Sequence, residues 1–147
     1  MTRNQPLQDG LSREQYASIA AFRFQLRRFL VFSEAAAIAA GVPPQQHQAL
    51  LSIAGHATTE PPTVGMIAEH LLVAPHTAAE LVSRMVEAGL LTKTRGTQDR
   101  RRMELAITPK AEILLSQLTA AHLEELRTME PALIRALGRL SRSAISG

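Results

Sequence analysis

The segment Leu90 to Ile107, LLTKTRGTQDRRRMELAI, decides the fold because its two halves have the pattern of paired β-strands. Leu90 to Arg95 has the composition of a strand, and Arg102 to Ile107 alternates polar and apolar residues at period two. Gly96 to Asp99 lies between them and has the composition of a turn. The segment is therefore predicted to form a β-hairpin.

The tip of this hairpin holds the excess positive charge of the chain. Residues 93–102 contain five basic residues and the single acid Asp99, whereas the whole chain of 147 residues has 16 basic and 13 acidic residues. The rest of the chain is therefore close to neutral. A basic patch on a balanced protein favours contact with a polyanion such as nucleic acid, and a solvated basic loop is the alternative.

Short helices are predicted before the hairpin. Residues 44–55 form an amphipathic segment that starts with proline. Thr63 can cap a second helix, which runs to Leu71. Pro75 begins a third, which presents its apolar residues on one face and stops at Gly89. The second and third helices are joined by a tight connection.

Long helices flank this region. Ser12 and Gln15 form a capping box, and the pattern predicts a helix of about 28 residues that ends before Gly41. Its length, about 40 Å, indicates that it packs against a partner helix of an assembly. After the hairpin, Thr108 precedes another helix, and Pro131 is expected to start a separate last one. The predicted order is four helices, a hairpin and two helices.

Two short helices followed by a basic hairpin are typical of a winged helix-turn-helix, in which the second helix enters the DNA major groove. The hairpin residues resemble the wing motif of the MarR (multiple antibiotic resistance regulator) family. That motif is Asp-x-Arg, five residues and Leu-Thr-x-x-Gly. Here Asp99-Arg100-Arg101 precedes Arg102 to Ala106, and Ile107-Thr108-Pro109-Lys110-Ala111 follows with the same spacing. Isoleucine replaces the leucine and alanine replaces the glycine.

The resemblance covers residues 44–118 and implies a single MarR-like domain over residues 1–147. Its dimerisation region would comprise residues 10–42 and 109–147, and its DNA-binding lobe residues 43–108. The implied fold is mainly α with a small β-hairpin wing, a winged helix-turn-helix with long N- and C-terminal dimerisation helices.

The resemblance also implies which residues touch DNA. Arg101 is similar to the wing arginine that probes the minor groove, and Asp99 to the acid that orients it. His76 and Thr77, at the start of the recognition helix, are expected at base edges. The full expected set is Pro75, His76, Thr77, Arg84, Arg95, Asp99, Arg100, Arg101 and Arg102.

Three further positions depart from the family pattern. Ala74 stands where a capping serine is common, so a cap worth about 1 kcal/mol is lost. Leu72 occupies a turn position often held by glycine, where a left-handed backbone is costly for leucine. Glu80 stands where arginine is frequent, and an acid there repels phosphate unless it accepts from a cytosine amino group.

Members of the resembled family commonly bind a small anionic aromatic compound between the dimerisation helices and the DNA-binding lobe. Such a ligand would oppose DNA binding by linkage. The alternative is a plain dimer core flanked by exposed arginines. The residues expected to supply stacking surface, charge and a hydrogen bond are Phe22, Arg23, Arg27, Phe29, Phe32 and His47.

No enzyme motif is present, and no cofactor is expected. The chain has no cysteine, which excludes disulfides and thiolate chemistry. Its five histidines lack metal-ligand spacing and are predicted to be ordinary surface residues. The alternative is a metal site formed by His47, His122 and Glu34, which requires the fold to bring these three side chains together.

The expected location is the cytoplasm. Residues 1–6 are polar and no apolar leader follows, and the longest apolar runs are far too short for a membrane span. The predicted function is a dimeric repressor that binds a palindromic operator in double-stranded DNA and is released by a small aromatic or phenolic effector. The alternatives are a winged-helix protein-interaction module and a DNA-binding protein without an effector.

Overall fold

The computed structural model describes residues 11–145 and is mainly helical, with one two-stranded antiparallel sheet. The expectation of a polar N-terminus without a leader concerns residues that lie outside this part of the chain. None of the described helices has the length and apolar character that crossing a membrane requires. The elements are α1 (Arg13–Ala39), α2 (Pro44–Ala54), α3 (Val64–Leu71), α4 (Pro75–Glu87), β1 (Leu91–Arg95), β2 (Met103–Ile107) and α5 (Pro109–Ile145).

The predicted start of α1 is confirmed in atomic detail. The Ser12 backbone N–H donates to Gln15 Oε1 at 2.7 Å, and the Gln15 N–H donates to Ser12 Oγ at 3.3 Å. These reciprocal bonds satisfy two N–H groups that have no partner inside the helix. The helix runs for 27 residues, close to the predicted length. It ends before Gly41, which has the positive φ of +80° that glycine adopts without strain.

The prediction of two helices after the hairpin is wrong. Helix α5 continues for 37 residues and contains Pro131 in its interior. Proline has no N–H to donate, and its ring crowds the carbonyl four residues earlier, so a break was expected there. Burial on both sides of the proline favours continuity, because Met129 and Ala136 are each only 4% exposed.

The chain divides into two compact units. One contains residues 34–120, and the other contains the residues up to 33 together with those from 121 onward. The core of the first unit is a continuous apolar cluster supplied by α2, α3, α4, the hairpin and the start of α5. Its fully buried members include Leu50, Ile67, Val82, Met85 and Leu91. This unit holds the helix-turn-helix and the wing.

The second unit pairs part of α1 with the later part of α5 around a buried histidine. The His122 ring is 8% exposed, accepts or donates a 2.7 Å hydrogen bond with Ser33 Oγ, and meets Phe29 and Phe32 edge-on. Many large apolar side chains of this unit face solvent. They include Ile19, Phe24, Leu30, Val31, Leu123, Ile134 and Leu137.

Leu72, in the turn between α3 and α4, adopts the left-handed conformation that the sequence analysis identified as costly. Its φ and ψ are 57° and 44°, and it is the only described residue other than glycine with positive φ. The turn is closed by bonds from Leu72 N to Glu69 O at 3.3 Å and from Val73 N to Ala68 O at 3.0 Å. The side chain is 91% exposed, so its packing contributes little stability to offset the backbone strain.

We expect Leu72→Gly to raise the free energy of unfolding by about 1 kcal/mol, since glycine removes the clash of Cβ with the backbone. Urea unfolding at a fixed protein concentration measures the effect. Leu72→Ala is the matched control, because it shortens the side chain but keeps Cβ and should give no comparable gain. Equal stabilities for the glycine and alanine variants would contradict the assignment of strain to this backbone.

Candidate nucleic-acid interface

Helix α4 has one buried face and one exposed face. Ala78, Leu81, Val82 and Met85 are buried against the core of their unit, as the helical spacing predicts. The opposite face is therefore free to contact a partner. Its exposed residues are Pro75, His76, Glu80, Ser83, Arg84, Val86 and Glu87, and Thr77 is half-buried at its edge.

The N-terminus of α4 has no side-chain cap. Ala74 occupies the N-cap position with extended backbone angles and supplies no hydrogen bond. The predicted loss of a cap is therefore confirmed. Pro75 follows at the first helical position, where its missing N–H costs nothing and its fixed φ suits the helix.

The predicted hairpin forms with nearly the predicted bounds. Strands β1 and β2 pair antiparallel, with Leu91 opposite Ile107 and Arg95 opposite Met103. The segment before α3 pairs with the other edge of β2. The Leu105 N–H donates to Pro62 O at 2.8 Å, and Thr63 forms an antiparallel bridge with Glu104. Thr63 also caps α3 by accepting from Met66 N at 3.2 Å, as predicted. The wing is thus anchored to the start of the helix-turn-helix.

The tip of the wing is a tight loop organised by Asp99. The Gly96 N–H donates to Arg102 O at 2.8 Å, and the Arg102 N–H donates to Asp99 O at 3.1 Å. Asp99 Oδ1 accepts from the Arg101 backbone N–H at 3.0 Å and lies 3.5 Å from Arg101 Nε. The Arg101 side chain is 94% exposed, so its guanidinium projects from the loop.

Gly96 is required in this loop because a side chain would collide with backbone. A Cβ at residue 96 would lie 2.6 Å from Asp99 O and 3.3 Å from Arg102 O. We expect Gly96→Ala to distort the tip and to weaken DNA binding about tenfold, through a cost of 1 to 3 kcal/mol typical of overpacking. Fluorescence anisotropy with labelled duplex DNA measures this. Gly65→Ala, whose nearest contact would be an ordinary 3.8 Å, should leave binding unchanged.

Arg102 is tied to a residue that the sequence analysis did not identify. Its Nη1 lies 3.4 Å from Glu60 Oε2, and both side chains are more than half exposed. An exposed pair of this kind contributes little to stability, but it holds Arg102 beside the segment that leads into α3. The two residues lie 42 positions apart, so no local signal could have revealed the pair.

Thr108 joins the end of the recognition helix to the exit of the wing. Its hydroxyl donates to Gly89 O at 2.6 Å and accepts from Ala111 N at 3.2 Å, which caps α5. Its own N–H donates to Leu90 O at 3.1 Å. The threonine of the wing motif therefore has a structural role. It fixes the position of the wing relative to α4.

The wing and the recognition helix differ in charge. All five basic residues of the 93–102 segment are exposed, whereas the exposed face of α4 has Arg84 as its one arginine beside two acids, Glu80 and Glu87. Any electrostatic attraction to phosphate would therefore come mainly from the wing. The exposed basic residues are Lys93, Arg95, Arg100, Arg101 and Arg102.

The residues expected to contact an effector have different surroundings. Phe22, Phe29 and Phe32 are half-buried in the unit that contains the start of α1, and Arg23 and Arg27 are exposed there. Phe29 and Phe32 pack against His122, as in a structural core. His47 belongs to the other unit and is 4% exposed.

The prediction that all five histidines lie on the surface is wrong for two of them. His47 is on the buried face of α2, and His122 is enclosed by aromatic rings and the Ser33 hydroxyl. His70 and His76 are exposed, and His56 is half-buried with Nε2 at 2.9 Å from Glu60 O. Among residues 11–145, no three His, Asp or Glu side chains are grouped so that they could hold a metal ion.

The geometry has counterparts among known proteins. The MarR family model matches residues 40–102, which span α2 to the wing tip. Among solved structures, MepR of Staphylococcus aureus bound to DNA is 18% identical, with a TM-score of 0.67 and coverage of 85% of this chain and 90% of that one. AbsC of Streptomyces coelicolor, described as a MarR family transcriptional regulator, is 14% identical, with a TM-score of 0.69 and coverage of 80% and 79%.

A third structure, YusO of Bacillus subtilis, is 22% identical, with a TM-score of 0.62 and coverage of 92% of this chain and 99% of that one. No curated protein matches the sequence. The resemblance carried by the wing motif is thereby confirmed by an independent match over the helix-turn-helix and wing, and by the fold.

Proposed function

We propose that this chain, whose residues 40–102 match the MarR family model, is a transcriptional regulator that binds double-stranded DNA as a homodimer. The observation that carries the proposal is the pairing, in one compact unit, of a helix with a free polar face and a wing with five exposed basic residues. A recognition helix and a basic wing are the two parts that a winged helix-turn-helix applies to a duplex.

The proposed dimer follows from geometry and from exposed apolar surface. One recognition helix reads few base pairs, so two of them about 34 to 36 Å apart on a palindromic operator supply the specificity that one lacks. The unit that contains the start of α1 leaves Ile19, Phe24 and Val31 more than half exposed. A lone subunit would keep this surface in water, and a second copy would cover it.

A cleft on α5 supports the same assignment. It has a volume of about 290 Å³ and is lined by seven residues of one helix: Leu123, Leu126, Arg127, Glu130, Leu133, Ile134 and Leu137. Such a stripe of leucines and isoleucine suits a facing helix better than solvent. We therefore place part of the dimer interface here, in line with a dimerisation region of residues 10–42 and 109–147.

Salt dependence tests the DNA-binding function. If Arg95, Arg100 and Arg102 of both subunits neutralise phosphates, the logarithm of the binding constant should fall with the logarithm of salt concentration at a slope of about −5. Anisotropy measured with labelled operator between 50 and 200 mM salt gives the slope. A protein-interaction module would bind DNA poorly at any of these concentrations, and that result would reject the function.

The regulatory part of the proposal is a repressor that a small aromatic or phenolic compound releases from DNA. Its support is the family resemblance together with Phe22, Arg23 and Arg27, which offer stacking surface and positive charge on one helix. For a repressor of this kind, a phenol or aromatic acid that acts as the effector should raise the melting temperature of the protein. The same compound should weaken operator binding. A regulator without an effector would show neither change.

A further inference from the structure

Glu80 lies at the centre of the exposed face of the recognition helix. It is one helical turn after His76 and one turn before Arg84, and the buried residues of α4 all point the other way. Its Cα is about 7.5 Å along the helix axis from that of Pro75, at 1.5 Å per residue. A helix that inserts its first turns into the major groove therefore brings this carboxylate to the base edges.

Glu80 has no partner in the part of the chain that the structure describes. Among the side chains of residues 11–142, none forms a hydrogen bond or an ion pair with the Glu80 carboxylate. Arg84 lies at the i+4 position, where pairing on a helix is favourable, and yet it does not pair. The carboxylate is consequently free to accept hydrogen bonds from a ligand.

An unpaired carboxylate in the groove of a polyanion weakens binding unless a donor meets it. Cytosine offers its N4 amino group at the major-groove edge. Guanine offers acceptors only, thymine an acceptor and a methyl group, and adenine sets an acceptor beside its donor. A carboxylate in this place therefore discriminates in favour of cytosine.

We propose that Glu80 is a specificity-determining residue that accepts a hydrogen bond from a cytosine amino group in each half of the operator. The inference rests on the proposed DNA-binding function, and it adds the base class that the recognition helix selects. Glu80 contributes to specificity by disfavouring the other bases. The repulsion between its carboxylate and the DNA is offset only where a cytosine amino group donates to it.

Selection from random duplex DNA with the full-length wild-type chain is the first step. We expect a two-fold symmetric site with a cytosine at one position of each half. Duplexes carrying each of the four bases at that position are then titrated by anisotropy. The wild type should prefer cytosine to guanine by roughly 5- to 100-fold, the range of a good side-chain contact to a base.

Two substitutions at residue 80 distinguish recognition of a particular base from the general effect of removing a negative charge. Glu80→Gln should switch the preference from cytosine to adenine, because a carboxamide both accepts from N6 and donates to N7. Glu80→Ala should lose the preference and bind the non-cytosine duplexes more tightly than the wild type does. Glu87→Gln is the matched control. It removes the same charge from the exposed C-terminal end of α4, and it should keep the wild-type preference.

The possible failures are distinguishable. A selected site without the cytosine, or identical base preferences in all four proteins, would overturn the role of Glu80 while DNA binding stood. Failure of the wild type to bind any duplex would reject the DNA-binding function itself, and this inference with it. Circular dichroism of each variant checks that the fold is retained.

Discussion

Arg101→Ala should weaken operator binding by on the order of 10³-fold while leaving the dimer and its stability unchanged. The guanidinium is 94% exposed at the wing tip, so its removal costs no packing. A charge-assisted contact to DNA is worth about 2 kcal/mol, and a dimer loses two such contacts. Anisotropy with labelled operator gives the affinity, and analytical ultracentrifugation gives the oligomeric state.

Arg13→Ala serves as the control for Arg101→Ala, because it removes the same charge from an exposed site in the first turn of α1. It should change the affinity by less than about threefold, the scale of a distant exposed charge. An unchanged affinity for Arg101→Ala would show that the wing tip does not reach DNA. Asp99→Ala should fall between the two, since Arg101 keeps its charge but loses the carboxylate beside its Nε.

Ile134→Asp should dissociate the dimer and thereby abolish tight operator binding. Ile134 is 58% exposed in a single subunit and lines the apolar cleft on α5. If a second copy covers this cleft, the substitution places an unpaired carboxylate in the interface on both sides. The penalty is several kcal/mol for each buried charge, so the dissociation constant should rise at least about a hundredfold.

Sedimentation velocity across a range of protein concentrations measures that change, and operator affinity should decline with it. Thr128→Asp is the matched control, because it adds the same charge to an exposed polar position on a different face of α5, outside the cleft. It should remain dimeric. Dimers of unchanged stability for Ile134→Asp would exclude the cleft from the interface and shift attention to the exposed apolar residues of α1.

Features encoded by neighbouring residues were predictable from the sequence. The capping box of Ser12 and Gln15, the Thr63 cap and the first-turn Pro75 each act over three or four residues, and each appears where it was expected. The hairpin also followed from alternation and from its turn. The backbone strain at Leu72 was also predictable locally, since a leucine at a turn position often held by glycine indicated a costly left-handed conformation.

Features decided by distant residues were not predictable. The local rule at Pro131 indicated a break, but Met129 and Ala136 on either side are buried, and this burial favours one continuous helix. The burial of His122 depends on Phe29, Phe32 and Ser33 of another helix.

The candidate site divides in the same way. The charge of the wing is concentrated within ten residues and was visible at once, whereas its ties to Glu60 and Pro62 bring together residues some forty positions apart and emerge only from the fold. The sequence therefore indicates which residues would contact DNA. It does not indicate which contacts hold the wing in position.

The hydroxyl of Thr108 has a consequence for how operators can be exchanged. This hydroxyl donates a hydrogen bond to the carbonyl of Gly89 and also caps α5. It therefore connects the end of α4 to the exit of the basic hairpin, and the two move as one unit. In the proposed DNA complex, the major-groove and minor-groove contacts would therefore form and break together. A change of operator would then require different side chains along α4, because the spacing between α4 and the wing would stay the same.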